Sequence, residues 1–305
     1  MGDIRNDHSL KSWGLLILLS LIWGSSFILI KKALVVYSPG EVGAFRIVTA
    51  GAVLLPLSMP RLKFLSQKQV INLIIVGLVG SFIPSFLFAI AQTRLSSSLT
   101  GVLNALTPLM VMLIGAFIFG FKITGKNAIG LLIAFIGVGV LVIGGTGSPS
   151  GFLSGINLYA LFVILATVCY GFNVNIIKFR FVELKPVAIT AISLMMVLPL
   201  ASIYLFGFTE FSFKLVHKEG GWLAAGYITL LGVIGTAAAL VIFNAMVKLV
   251  TPVFASSVTY LIPVVAIFWG VWDGEVLLPV HYLGIIAVIL GVWVGNKRNS
   301  IRNNK

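Results

Sequence analysis

The chain has 305 residues, 59% of them hydrophobic and only 10% charged. Soluble domains average about 25% charged residues, so this composition cannot cover a water-facing surface and a soluble fold is excluded. The formal charge of +13 does not point to nucleic acid, because no run of five like charges exists and the basic residues sit in short segments between apolar runs, where they orient membrane proteins.

Ten apolar runs are long enough to cross about 30 Å of hydrocarbon as helices. The first, Ser12–Ala33, is longer than a signal-peptide core and has no small-x-small site before Lys31, so it is retained as a span. It carries Trp23, Ser25 and Ser26. The second, Pro39–Ser58, holds Arg46, the one charge well inside a run. A charge at that depth must pair or line water. Either it attracts an anionic group of a solute or it snorkels to the interface, and Glu41, five residues earlier, is a candidate partner. The third run, Val70–Gln92, contains Phe82 and Pro84, and the fourth, Ser97–Phe121, contains Asn104, Thr107 and Pro108. In the fifth, Asn127–Ile143, Gly130 and Gly137 begin a seven-residue glycine spacing that reaches Gly144.

The sixth run, Ile156–Ile177, carries the lone Cys169, Tyr170, Asn173 and Asn175. A single cysteine excludes a disulfide framework and a multi-cysteine metal site. After the seventh, Val187–Phe206, comes the longest connection, Gly207–Gly221, read as a loop. The eighth is Trp222–Phe243. The ninth, Val253–Trp272, contains Ser257, Thr259, Tyr260 and Pro263, and the tenth, Leu278–Gly295, repeats the glycine spacing at Gly284 and Gly291. These small-residue faces predict close packing of the fifth run on the tenth, with a dimer interface as the other option.

Two halves share one template. Trp23-Gly24-Ser25-Ser26-Phe27 through Lys31 returns 147 residues later as Tyr170-Gly171-Phe172-Asn173-Val174 through Lys178, and Pro39 returns as Pro186. Arg94, Gly130 and Gly137 return as Lys248, Gly284 and Gly291 at a spacing of 154. The expected fold class is therefore an all-α integral membrane protein of ten transmembrane helices, in repeats covering 12–144 and 155–296. Five is odd, so the second copy enters from the opposite side and the repeat is inverted. With the N-terminus inside, 15 of the 21 basic residues fall on inner segments and five on outer ones, which predicts that both termini are cytoplasmic.

The chain resembles the ten-helix EamA-like carriers of the drug/metabolite transporter superfamily over about Ser12 to Gly295. The resemblance lies in Trp23-Gly24-Ser25-Ser26-Phe27, Phe45-Arg46, Leu106-Thr107-Pro108-Leu109, Leu261-Ile262-Pro263-Val264 and the glycine-spaced fifth and tenth runs. It implies a prokaryotic-type inner (plasma) membrane and export of small metabolites such as amino acids or related compounds. The family often carries Gly-Glu after the fourth and ninth helices. Gly274-Glu275 matches, whereas the first copy reads Gly120-Phe121-Lys122. Small multidrug members of the superfamily use a buried glutamate in the first helix, and this first helix has none.

Polar side chains at membrane depth face a cavity or a partner helix. Here they come mainly from the repeat-related pairs one/six and four/nine, which predicts a central pocket. Its expected polar lining is Ser26, Asn104, Thr107, Asn173 and Asn175, with Arg46, and its aromatic walls are Trp23, Phe82, Tyr170 and Tyr260. Taken singly, each of these residues also reads as an interhelical hydrogen bond or core group. Pro108 and Pro263, at equivalent places, read as hinges or as plain packing kinks. The eight acids lie at termini, in loops or at run ends, and His8, His217 and His281 are read as peripheral, in solvated loops. No catalytic, cofactor or metal constellation is visible. The function that follows is a secondary transporter working by alternating access on a small-molecule solute within the lipid bilayer, without nucleic acid, as a monomer or a dimer. A flippase of lipid-linked or amphipathic solutes is the alternative, ahead of a channel or an intramembrane enzyme.

Overall fold

A computed structural model describes residues 10–59, 65–120, 125–144, 158–181, 183–250 and 252–296. Among the described residues every regular element is helical. In chain order they are α1 (Leu10–Ala33), α2 (Pro39–Ser58), α3 (Gln67–Ala91), α4 (Ser97–Phe119), α5 (Gly125–Gly144), α6 (Ala160–Arg180), α7 (Pro186–Gly207), α8 (Phe211–His217), α9 (Gly221–Leu249), α10 (Phe254–Trp272) and α11 (Pro279–Asn296). Eight of them, α1 to α4, α6, α7, α9 and α10, are long and apolar enough to cross a membrane, and α11 contains a shorter apolar stretch, Pro279–Gly291. Leu132, Ile203, Leu283 and Trp293 lie exposed on the outside, as a lipid-facing surface requires. The chain is a multi-pass, all-helical membrane protein.

Local signals set the helix starts. Ser38 caps α2 in a capping box with Glu41, and Ser66 caps α3 in a second one with Gln69. That box starts α3 at Gln67, three residues before the expected Val70. Gly120, at φ 75°, ends α4 in the left-handed conformation that favours glycine. Phe121 and Lys122, where the first copy departs from the family pattern, lie outside the described residues.

The Gly207–Gly221 connection is not a plain loop. It forms the short helix α8, which seats Phe211 against Tyr37 and Phe45 at ring-centre distances of 5.0 and 4.5 Å. Lys214 of α8 holds the buried Glu41 carboxylate at 2.8 Å, and the Tyr37 hydroxyl donates to the Gly221 carbonyl at 2.9 Å. Short apolar stretches inside a charged connection are hard to tell from a loop by pattern alone.

α1 packs against α9 and α10, α2 against α7 and α9, and α4 against α6 and α10. The closest partnership joins α5 and α11 within the one chain. Buried apolar side chains from both halves fill the interior, among them Phe27, Leu103 and Ile262 in one cluster and Val111, Ile177 and Phe243 in another.

Candidate functional site

Four irregular helices meet near the centre. α3 is interrupted by a π turn at Leu78–Phe82 and α9 by another at Val233–Ala238. Pro84 has no N–H and would clash with the carbonyl four residues earlier, so it explains the first π turn. Ala238 stands near the equivalent place in α9, yet that helix bulges as well. The shared element is the Gly-x-x-Gly-Ser/Thr motif, Gly77 to Ser81 and Gly232 to Thr236, which recurs at a spacing of 155. A π turn shifts carbonyls off the regular ladder, and here side chains serve them. Trp23 Nε1 donates to the Gly235 carbonyl at 2.9 Å, and Thr236 Oγ1 donates to the Leu231 carbonyl at 3.1 Å.

α4 breaks after Asn104 and resumes at Thr107, and α10 passes through a 3₁₀ turn, Ser257–Tyr260, before resuming at Ile262. Pro108 cannot donate to the Asn104 carbonyl. The Thr107 hydroxyl does so instead at 2.8 Å. Thr107→Val is therefore expected to cost about 1 kcal/mol, the usual net worth of one such bond. It should appear as a lower thermal unfolding midpoint in detergent, and Thr107→Ser should restore the wild-type value.

These four helices, with α1, α2 and α6, surround a cavity of about 70 Å³, the space open to the centres of water-sized spheres. One water needs about 10–15 Å³ on that measure, so the space suits a small solute. Of the residues expected at a pocket, the structure brings together Trp23, Ser26, Arg46, Asn104, Thr107, Tyr170 and Asn173. Phe82, Asn175 and Tyr260 fall outside the lining. Phe82 packs against Phe86 in a tilted pair at a ring-centre distance of 4.9 Å and joins the cluster of Ile47 and Leu194, because the π turn rotates it away from the face that regular α periodicity assigns. Asn175 is fully buried and ties α6 to α4, its amide donating to the Val111 and Gly171 carbonyls at 2.9 Å. Tyr260 packs partly buried against the Phe27 cluster.

Arg46 is 9% exposed, and its Nε donates to Thr236 Oγ1 at 2.7 Å. Glu41 is not its partner: that carboxylate accepts from Lys214 and from the Ser38 N–H, the latter at 2.7 Å. No carboxylate pairs with Arg46 among the described residues, and none lines the cavity. Asn173 is 3% exposed, its Oδ1 has no hydrogen-bond partner among the described residues, and the missing side chain of Gly80 leaves it room. His281 also departs from expectation. It is 5% exposed, and its Nδ1 accepts from the Leu278 N–H at the start of α11.

Sequence reasoning missed Gly80, Phe88, Gly235, Thr236 and Phe243, all in the lining. The recurring Gly-x-x-Gly-Ser/Thr was the available signal for three of them. Phe243, at a ring-centre distance of 5.1 Å from Trp23, carried none.

At one end of the bundle a polar clasp joins α1, the start of α4 and the α10–α11 turn. Gly274, at φ 83°, makes a turn that glycine favours and presents Glu275. The Glu275 carboxylate accepts from the Ser97 and Ser98 N–H groups at 2.8 and 3.0 Å, from the Ser98 hydroxyl at 2.7 Å and from Lys31 at 3.0 Å. Asp273 pairs with Lys31 at 2.8 Å and with Lys32. Burial, the largest single influence, raises the Glu275 pKa, but the hydrogen bonds from Ser98, Lys31 and Ser97 together hold it below the ordinary value. Hydrogen bonds from Lys31 and Lys32 lower that of Asp273.

The model of the EamA-like transporter family matches residues 11–143 and again 157–296. The chain belongs to the EamA-like transporter family. It is 25% identical over 297 residues to the protein named uncharacterized inner membrane transporter YedA of Escherichia coli K12, covering 95% of this chain and 92% of that one. An uncharacterized transporter of Archaeoglobus fulgidus is 25% identical over 291 residues, covering 93% and 98%. A probable amino-acid metabolite efflux pump of E. coli K12 is 28% identical over 137 residues, covering 44% of each chain. A crystal structure with 17% identity matches at a TM-score of 0.62 over 94% of this chain and 96% of that one, a likeness of fold. The family and its relatives are transporters, and this chain is a membrane transporter.

Proposed function

We propose that the chain is an alternating-access secondary carrier of the inner membrane that exports small metabolites such as amino acids or related compounds through the central cavity. In this reading α5 and α11 complete a set of ten spans. The two family-matched segments are inverted repeats, and both termini lie in the cytoplasm. The observation that carries the proposal is the composition of the cavity wall. It combines π turns from α3 and α9 with broken helices from α4 and α10, at sequence spacings of 155 within each pair. Irregular backbone at membrane depth is tolerated where it lines a cavity, and interrupted helices at matching places in two halves are the pointer to a transport site. The relative named a probable amino-acid metabolite efflux pump supports the solute class.

Reconstitution in liposomes tests this with a panel of radiolabelled amino acids, organic acids and nucleobases. Uptake above protein-free vesicles, reduced at least several-fold by Asn173→Ala, is expected. Transport that is absent for every solute, or insensitive to substitution in the cavity, refutes the assignment.

A further inference from the structure

Among the described residues that line it, the cavity holds one charge and no counter-charge. Arg46 is the one group of fixed charge among them, and no aspartate, glutamate, lysine or histidine of the described residues joins it. Its Nε is taken by Thr236. The two terminal nitrogens make no other bond among the described residues, so they are left to bind a planar anion end-on in the two-pronged manner of guanidinium. A single buried cation is neutralised by a monoanion. A dianionic phosphate ester would leave a net negative charge in a wall with no second cation, and a zwitterion would leave the positive charge uncompensated, since its ammonium finds no carboxylate. Burying net charge in a low-dielectric site is what such a wall disfavours.

The second feature is Asn173, which belongs to the same lining and whose Oδ1 is buried and without a donor among the described residues. An orphaned buried acceptor calls for a neutral O–H or N–H on whatever occupies the space. Trp23, Phe88 and Phe243 supply apolar surface for the rest of the molecule.

We propose that the solute is a small monoanionic carboxylate with an apolar body and a neutral hydroxyl or amide N–H donor beside the carboxylate, of the 2-hydroxy acid or N-acyl amino acid type, in preference to a zwitterionic amino acid. This rests on the cavity being the transport site. Arg46 binds the carboxylate, and Asn173 selects for the donor.

The test compares 3-phenyllactate, N-acetylphenylalanine, 3-phenylpropionate, phenylpyruvate, phenylalanine and phenylalanine methyl ester as ligands of the purified full-length protein, by calorimetry, and as solutes in proteoliposomes. Phenyllactate and N-acetylphenylalanine are expected to bind about tenfold more tightly than phenylpropionate, the effect of one hydrogen bond made or missing. They should also exceed phenylalanine by at least that factor, and the methyl ester should not bind. Arg46→Gln should abolish binding of every carboxylate, with partial recovery in Arg46→Lys. Asn173→Leu should bring phenyllactate down to the level of phenylpropionate and so remove the preference between the two acids. Asn173→Asp, which keeps the shape and adds the missing counter-charge, should shift preference toward phenylalanine. Phenylalanine binding as well as phenyllactate, phenylpyruvate binding more tightly than phenyllactate, or Asn173→Leu weakening both acids equally would overturn the inference while leaving the carrier intact. If no compound binds or crosses, the transport-site reading falls and the inference with it.

Discussion

Gly291→Leu is expected to destabilise the protein by about 3 kcal/mol, the upper part of the range for forcing atoms into a filled interface. Gly139→Leu, on the partner helix, should change stability by no more than about 0.5 kcal/mol. The difference lies in what each new side chain meets. A Cβ on Gly291 of α11 would strike the backbone of Ala134 and the Gly130 carbonyl of α5, and one on Gly137 of α5 would meet the Val288 backbone N at 2.6 Å. Backbone atoms in a helix cannot rotate aside, so the two helices must separate and lose the contacts that close approach gives them. A Cβ on Gly139 meets nothing within 4 Å. Thermal unfolding of the three proteins in the same detergent checks this. Equal midpoints for Gly291→Leu and Gly139→Leu would show that α5 and α11 do not depend on their glycine contact.

That contact was legible because its signal is periodic: glycines seven residues apart mark one helix face whatever the rest of the molecule does. Other features were legible only in part. Arg46 announces itself as a charge within an apolar run, but its partner Thr236 lies 190 residues away and is chosen by packing. Nearness in sequence favoured Glu41, although Ser38-x-x-Glu41 is itself a capping-box signature that commits that carboxylate to the helix start. Asn173 and Asn175 stand two residues apart, about 200° around a helix, so they cannot both face one space. Sequence does not say which one does, and the structure gives Asn173 to the cavity and Asn175 to α4. Lys31 and Lys178 are repeat partners by position, yet Lys31 meets acids while Lys178 donates to the Val247 and Val250 carbonyls at the end of α9. Matching sequence positions set where the two cations stand, and the facing segments set what they hold.

The second large effect is expected at that Lys31 clasp. Glu275→Ala should cost about 2 kcal/mol. Removing one partner of a fully buried pair costs about 3–5 kcal/mol, but here Lys31 is 35% exposed and keeps Asp273, so solvent and the second acid soften the loss. What is lost outright is the cap on α4, whose Ser97 and Ser98 N–H groups both point at the Glu275 carboxylate. The pH dependence follows from the direction of the shifts. Both carboxyls titrate below their ordinary values in the folded protein, so the clasp contributes fully above the normal carboxylate range, about pH 4. Its contribution is lost as pH falls through the depressed folded values. The stability gap between wild type and Glu275→Gln should therefore be constant from pH 8 to 5 and close below about pH 4; a gap that widens on acidification would contradict the pairing. In the proposed carrier the clasp also has a conformational role, because it joins α1 and α4 of the first matched segment to the α10–α11 turn of the second. Solute can pass at that end only when those parts separate. Weakening the clasp should raise the ratio of open to closed protein at that end by about tenfold for every 1.4 kcal/mol of clasp free energy lost from the closed state. Ile30, a cavity-lining residue next to Lys31 and 2% exposed, reports on it: with the native Cys169 replaced by serine, Ile30→Cys should react several-fold faster with a membrane-impermeant maleimide when Glu275 is alanine. Unchanged labelling, together with the expected loss of stability, would make the clasp a cap on α4 and nothing more.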